Sequence, residues 1–268
     1  MTDSGPLRGR VAVVTGGTRG IGRGIALRLA ADGADCAITY RRNEPLAREV
    51  VAAIEGLGRR ALAVQVDLAE PAQVAPAVEK IAERLGRIDV LVANAAATAF
   101  RPVVEQKPHN VDRTFAISVD SFVAAVQAAV PRMTAGAGRI VAISGIDSPQ
   151  AMAGHGLLGA AKAAVESLVR ALALELGPQG ITVNGVSPGF VETDSSRLYV
   201  ERGLGQEYDS AVKRLVAATP VRRVGTVEDV AALVAYLASD AAGFLTGQTI
   251  VLDGGLTIVS PLHHLTIT

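Results

Sequence analysis

Short apolar runs alternate with amphipathic stretches along most of the chain. Val11–Thr15, Ala34–Tyr40, Ala61–Val66, Ile88–Ala93, Arg139–Ser144, Ile181–Ser187 and Thr249–Leu252 are short and predominantly apolar. Runs of this kind predict strands buried on both faces of a parallel sheet. Helical periodicity fills the intervals, over about Arg19–Asp32, Pro45–Leu57, Pro71–Leu85, Pro108–Thr134, Gly156–Leu176 and Thr226–Ser239. Strand and helix in alternation imply right-handed crossovers and an α/β fold. The expected form is one doubly wound parallel sheet of about seven strands flanked by helices. A single domain over 1–268 is expected, since no long linker, low-complexity segment or solenoid repeat interrupts the pattern. Phe190–Thr219 lacks a strand. It mixes Leu198, Tyr199, Val200, Leu204 and Tyr208 with Arg197, Glu201 and Arg202. An insertion at about 190–219, after a strand's carboxyl end, reads either as an apolar substrate lid or as a surface excursion.

Composition narrows the picture. The 268 residues suffice for a sizeable core. Lysine plus arginine and aspartate plus glutamate number 26 each, for a net charge of zero. Nothing in that balance points to nucleic acid or an anionic membrane. One cysteine, Cys36, excludes an internal disulfide framework and suits a reducing compartment. The first ten residues, MTDSGPLRGR, have no apolar segment of the signal-peptide kind, and no uninterrupted apolar run has membrane-spanning length. A cytoplasmic location is the expectation. His109, His263 and His264 have no ligand partners at useful spacing, and no metal site is expected.

Candidate chemistry begins at VAVVTGGTRGIGRGIA, Val11–Ala26, where Gly16, Gly20 and Gly22 lie between a strand and a helix. Glycines there permit a tight turn and let backbone N–H groups approach a pyrophosphate at the helix N-terminus. The second strand ends Ile38-Thr39-Tyr40-Arg41-Arg42, without the acid that would grip free ribose hydroxyls. Arg19 in the loop and Arg41 after the strand suit a 2′-phosphate instead, so the expected cofactor is NADP(H).

With these features the chain resembles the short-chain dehydrogenase/reductase family over nearly its whole length. Thr15-Gly16-Gly17-Thr18-Arg19-Gly20-Ile21-Gly22 is similar to the family's TGxxxGIG loop. Asp67-Leu68 matches its adenine-contacting pair, and Asn94-Ala95-Ala96 its NAG segment. Asn184, then Pro188, Gly189, Val191 and Thr193, resemble the segment that holds the nicotinamide carboxamide, and Asp253-Gly254-Gly255 the C-terminal strand end. The resemblance implies a Rossmann-type fold, dinucleotide binding, a small-molecule substrate, and a homotetramer or homodimer. Its long helices would be the interface, with Ala124, Ala125, Ala171 and Ala173 either allowing close approach or packing inside the subunit.

The catalytic positions depart from the family. Its working set is an asparagine, a serine, a tyrosine and a lysine. Lys162 matches the lysine, which in the family holds the nicotinamide ribose. The tyrosine position, four residues earlier, is Leu158; the serine position is Gly145; the asparagine position is Ser118. Ser144 adjoins the serine position, but strand alternation turns it to the other face unless the chain bends there.

Hydride addition to a ketone yields an alkoxide that needs an acid at once, which leucine cannot supply. Addition to a conjugated carbon–carbon double bond yields an enolate, which needs charge stabilisation. Some enoyl-carrier-protein reductases of this family carry their tyrosine seven residues before the lysine, and His155 stands there. His155, Leu158 and Lys162 would share one stripe of a continuous helix, although Gly154 and Gly156 flank the histidine. Beside Lys162 an imidazole would favour its neutral tautomer and could donate one hydrogen bond.

Three functions therefore stay open. One is an NADPH-dependent reductase of an activated C=C or unusual carbonyl, on a small apolar or carrier-bound substrate. The second is a non-redox cyclisation, isomerisation or elimination with NADP as structural support. The third is a non-catalytic NADP-binding protein. The candidate catalytic residues are Lys162, His155, Ser144 and Ser118.

Overall fold

The computed structural model describes residues 5–260. His263, His264 and the first four residues of the signal-peptide argument lie outside them. Seven strands form one parallel sheet in the order β3-β2-β1-β4-β5-β6-β7. They are β1 Val11–Val14, β2 Asp35–Tyr40, β3 Ala61–Gln65, β4 Val90–Ala93, β5 Arg139–Ile143, β6 Thr182–Pro188 and β7 Thr249–Leu252. Both faces are covered, which explains why the strands read as unbroken apolar runs. In β1 the period of two is visible inside the core: Val11 and Val13 join one apolar cluster, Ala12 and Val14 the other.

Helices α1 (Gly20–Ala31), α2 (Glu44–Gly56) and α9 (Val227–Ala238) contribute to the second cluster. Helices α3 (Val74–Leu85), α5 (Ser121–Ala129) and α6 (Gly156–Leu176) contribute to the first. Local chemistry fixes the starts. Asn43 caps α2 by accepting from Leu46 N–H at 3.1 Å, and Thr226 caps α9 through a reciprocal box with Asp229. Such caps each contribute about 1 kcal/mol. Gly24 lets α1 and α9 touch, because a Cβ there would stand 2.0 Å from Val227 Cγ1.

The strand order reverses between β1 and β4, and a crevice at the carboxyl ends of such a sheet is the expected ligand position. The glycine loop follows β1 there and Asn94 follows β4.

One expectation changes and an open choice narrows. The single helix expected over Pro108–Thr134 is broken into α4 (Pro108–Phe115), a π-helical turn Ala116–Asp120, α5 and a 3₁₀ turn Val130–Arg132. The helical stretch Pro108–Arg132 is long and apolar enough to cross a membrane by length and composition. Its residues Phe122, Ala125, Val126 and Ala129 are nevertheless packed into the core. Of the four alanines read either as interface or as subunit core, Ala125 and Ala173 are buried inside the subunit; Ala171 alone is exposed.

The strandless segment contains α7 (Asp194–Leu198), a π-helical turn Tyr199–Gly203 and α8 (Tyr208–Ala218). Tyr199, Val200, Tyr208 and Ala211 form a small buried cluster with Phe100, Met152, Phe190 and Val212 around them. It is a packed cover rather than a loose excursion.

Candidate active site

The glycine loop is built around Thr15. Its Oγ1 accepts from the backbone N–H groups of Asn94 (3.0 Å) and Ala95 (3.1 Å), tying the loop after β1 to the end of β4. Asn94 donates its side-chain amide to the carbonyls of Thr15 (3.0 Å) and Gly16 (3.3 Å). Gly16 and Gly20 have φ of +66° and +51°, a region costly for other residues. A Cβ on Gly22 would stand 2.3 Å from Gly16 O. The first turn of α1 therefore sits directly under the loop. Thr18 and Ile21 are half-buried and Arg19 is exposed at the N-cap of α1.

Arg41 and Asp67 lie at the ends of neighbouring strands, with Arg41 Nη1 4.0 Å from Asp67 Oδ2. Asp67 also accepts from Ala69 N–H at 3.0 Å, while Leu68 is buried in the core. Pro188 is buried and ends β6; Gly189 passes close to Asp253. Val191 is buried and bridges to Gly225. Thr193 caps α7 through Ser196, and its Cγ2 lies 3.6 Å from the Cβ position of Gly20, across the loop. Asn184 does not join this group. Its side chain donates to Leu245 O and accepts from Gln248 N–H, holding the 245–248 turn to β6.

Lys162 is buried on α6, and its Nζ donates to Ile143 O at 2.5 Å. Burial pulls its ammonium down to about 8, against the opposing pull of Asp147 and Glu166. Ser118 lines a small cavity with Lys162, Thr15 and Ser121, and its hydroxyl is buried without a partner among the described residues. The π-helical turn brings it there. Ser144 is placed otherwise: its hydroxyl donates to Glu166 Oε1 at 2.6 Å. It does not line the cavity that Lys162 and Ser118 share.

His155 is the N-cap residue of α6, with φ −98° and ψ −3°, so the stripe to Lys162 begins one residue outside the regular helix. Its ring is stacked on Phe100, with centroids 5.1 Å apart, and meets Tyr199 edge-on at 4.2 Å. Nδ1 lies 2.9 Å from Asp147 Oδ2, and Nε2 is buried without a partner among the described residues. The expected neighbour of this imidazole was a lysine; the charged group it touches is a carboxylate. Tyr199 donates its hydroxyl to Ala153 O at 2.9 Å. Burial, then Asp147, pushes that phenol's pKa up.

Asp147 escaped the sequence reading because it lies in the turn after β5, at no motif position. The available signal was its place two residues beyond the serine position, which is glycine here. A Cβ on Gly145 would stand 2.5 Å from Asp147 Oδ1. Among the described residues no cluster of His, Cys, Asp and Glu could hold a metal ion.

Comparison with known proteins bears on the family and the fold. Residues 16–257 match the family described as enoyl-(acyl carrier protein) reductase. The chain is 41% identical over 254 residues to 1-cyclohexenylcarbonyl-CoA reductase of Streptomyces collinus, covering 95% of this chain and 89% of that one. It is 35% identical to hydroxynaphthalene reductase arp2 of Aspergillus fumigatus, covering 91% and 90%. Among solved structures, a metagenomic blue fluorescent protein in complex with NADPH superposes with a TM-score of 0.86 at 41% identity, covering 94% and 99%. A short-chain dehydrogenase from Burkholderia cenocepacia in complex with NADP does so with a TM-score of 0.86 at 39% identity, also covering 94% and 99%.

Proposed function

Because the chain belongs to the short-chain dehydrogenase/reductase family, we propose that this oxidoreductase is an NADPH-dependent reductase of a conjugated carbon–carbon double bond, carried on an acyl thioester, with His155 as its acid. One observation carries the reading. The tyrosine position holds Leu158, while His155, seven residues before Lys162, presents a buried Nε2 with no partner among the described residues.

The crevice fits NADP(H). Gly16 adopts a positive φ and Gly22 lets the first turn of α1 pack against Gly16 O, the tight turn a pyrophosphate loop needs, and no acid ends β2. Arg19 and Arg41 supply guanidinium groups for a 2′-phosphate. Arg41 already stands near Asp67, so a phosphate would draw it from a weak, half-exposed pair. Asp67, Asn94, Ala95, Pro188, Gly189, Val191 and Thr193 complete the surroundings. When bound, the reduced nicotinamide supplies the hydride. The solved relatives named for NADPH and NADP support the same choice.

Lys162 in its charged form would hold the ribose hydroxyls. The enolate oxygen needs a donor, and His155 in its protonated form would give Nε2–H to it. Leu158 would provide an apolar wall for the acyl portion. Ser118 stands beside Lys162 as a second polar contact, and Ser144 has no part. The Streptomyces relative, named for an unsaturated acyl-CoA, favours a C=C substrate over a ketone.

The test is spectrophotometric. NADPH oxidation with 1-cyclohexenylcarbonyl-CoA, giving a product two mass units heavier, is the expected result. Oxidation only with aryl ketones would overturn the C=C assignment. Product formation without NADPH consumption would favour the non-redox reading. His155→Ala should lower turnover by about 10²-fold. A homotetramer or homodimer is proposed as well, through faces that include exposed Ala171 and Leu174 on α6. Light scattering that gives a monomer at micromolar concentration would refute it.

A further inference from the structure

The family's serine and tyrosine act as a pair around the lysine, and here both positions lack a polar side chain. Two other residues fill the gap. The side chain of Asp147 reaches back beside Gly145, so that Oδ1 lies 2.5 Å from where a serine's Cβ would be. Its other oxygen, Oδ2, meets His155 Nδ1 at 2.9 Å. Both side chains are largely shielded, with relative exposures of 7% for Asp147 and 14% for His155.

We propose that Asp147 is the positioning residue of this site: its carboxylate takes the space of the missing serine side chain and fixes His155 with Nε2 as the reactive nitrogen. The inference rests on His155 being the acid. Its logic is that of hydrogen-bond inventory. An ionised carboxylate only accepts, so Nδ1 must carry the hydrogen between them. Nε2 is then the acid in the imidazolium and the base in the neutral ring. The stacked face of Phe100 and the edge-on contact with Tyr199 restrain ring tilt, and the carboxylate removes the remaining freedom to flip.

Two absences of side chain make the arrangement possible. Gly145 leaves the carboxylate its place. Gly159 lets the backbone of Asp147 approach α6, since a Cβ there would lie 2.2 Å from Asp147 O. Tyr199 is not a rival acid, because its hydroxyl is already given to Ala153 O.

The experiment uses the full chain with ¹⁵N-labelled histidine and two variants, Asp147→Ala and Gly145→Ser. Long-range ¹H–¹⁵N correlation reads which ring nitrogen of His155 carries the hydrogen, with His155→Ala used to assign the signal. The wild type should show the Nδ1–H form when neutral. Asp147→Ala should show mixed tautomers and a kcat lower by about 10 to 100-fold, with KM for NADPH nearly unchanged. Gly145→Ser, which keeps the carboxylate but crowds it, should move both readouts the same way. An Nε2–H tautomer in the wild type, or full kcat in Asp147→Ala, would overturn the proposal. Unchanged turnover in His155→Ala would instead sink the acid reading, while the wild-type tautomer still decides Asp147's hold on the ring. The NADPH-induced rise in melting temperature reports whether each variant is folded, and the wild-type tautomer needs no variant at all.

Discussion

Gly159 brings α6 and the turn after β5 together backbone to backbone, its Cβ position lying only 2.2 Å from the carbonyl oxygen of Asp147. The contact cannot accept even a methyl group. Gly159→Ala must push the turn outward and carry Asp147 away from His155. The expected result is a turnover reduced by about 10-fold or more, by analogy with lost second-shell contacts. Overpacking of this kind costs about 1–3 kcal/mol, so the melting temperature should fall by several degrees. Kinetics and a thermal scan on one preparation check both, and an alanine variant equal to wild type in both would mean that the contact is unimportant.

In the proposed reading, cofactor choice depends on Arg19 and Arg41. NADPH should raise the melting temperature more than NADH at equal concentration. At a hundred times its dissociation constant a ligand adds about 2.7 kcal/mol. Arg41→Ala should narrow the difference between the two, and equal shifts in the wild type would refute the NADP assignment. Removing this arginine also frees Asp67, whose carboxylate would then face a bound phosphate unopposed.

Lys162 gives a pH dependence of definite sign. Its ammonium titrates at about 8 in the folded chain, below its ordinary 10.5, mainly because it is buried. Between those values the unfolded chain binds a proton that the folded chain has released. This group therefore makes stability rise with pH across that window, while below about 8 its burial cost stands in full. Cofactor binding should move the other way. Loss of the ammonium above about 8 should weaken NADPH affinity. Titration calorimetry from pH 7 to pH 9 should show this in the wild type and not in Lys162→Ala, which should bind more weakly throughout. Equal affinities for the two proteins at pH 7 would separate Lys162 from the cofactor.

Restoring the family's pair should not restore the family's chemistry. Leu158→Tyr with Gly145→Ser replaces the apolar wall with a phenol and sets a hydroxymethyl group against Asp147 Oδ1. We expect the native reaction to be blocked, with no compensating gain in ketone reduction. A double variant that reduces aryl ketones faster than wild type would show that the site is an ordinary one lacking its acid.

Much of the fold was legible because a doubly covered sheet writes its strands as apolar runs. Thr249–Leu252 is a strand with the bounds read from sequence. The phosphate loop was equally legible, since positive φ at Gly16 and Gly20 is a demand that sequence displays. The π-helical turn at Ala116–Asp120 was hidden. One extra residue in a turn barely disturbs an apolar pattern, yet it helps decide where Ser118 lies. Ser144 misled for a related reason: adjacency to a motif position says nothing about direction, and its partner is Glu166. Asp147 was out of reach because its role depends on what Gly145 and Gly159 lack.

Tyr199 belongs to two structures at once. Its ring is a wall of the His155 cage, and its backbone lies in the helical cover formed by α7, the following turn and α8. Any change in how this segment packs would therefore be felt at the imidazole through one ring. The fit of residues 190–219 and the surroundings of the proposed acid are joined there, so a substitution that loosens Tyr208 or Val200 should disturb the His155 site without touching it.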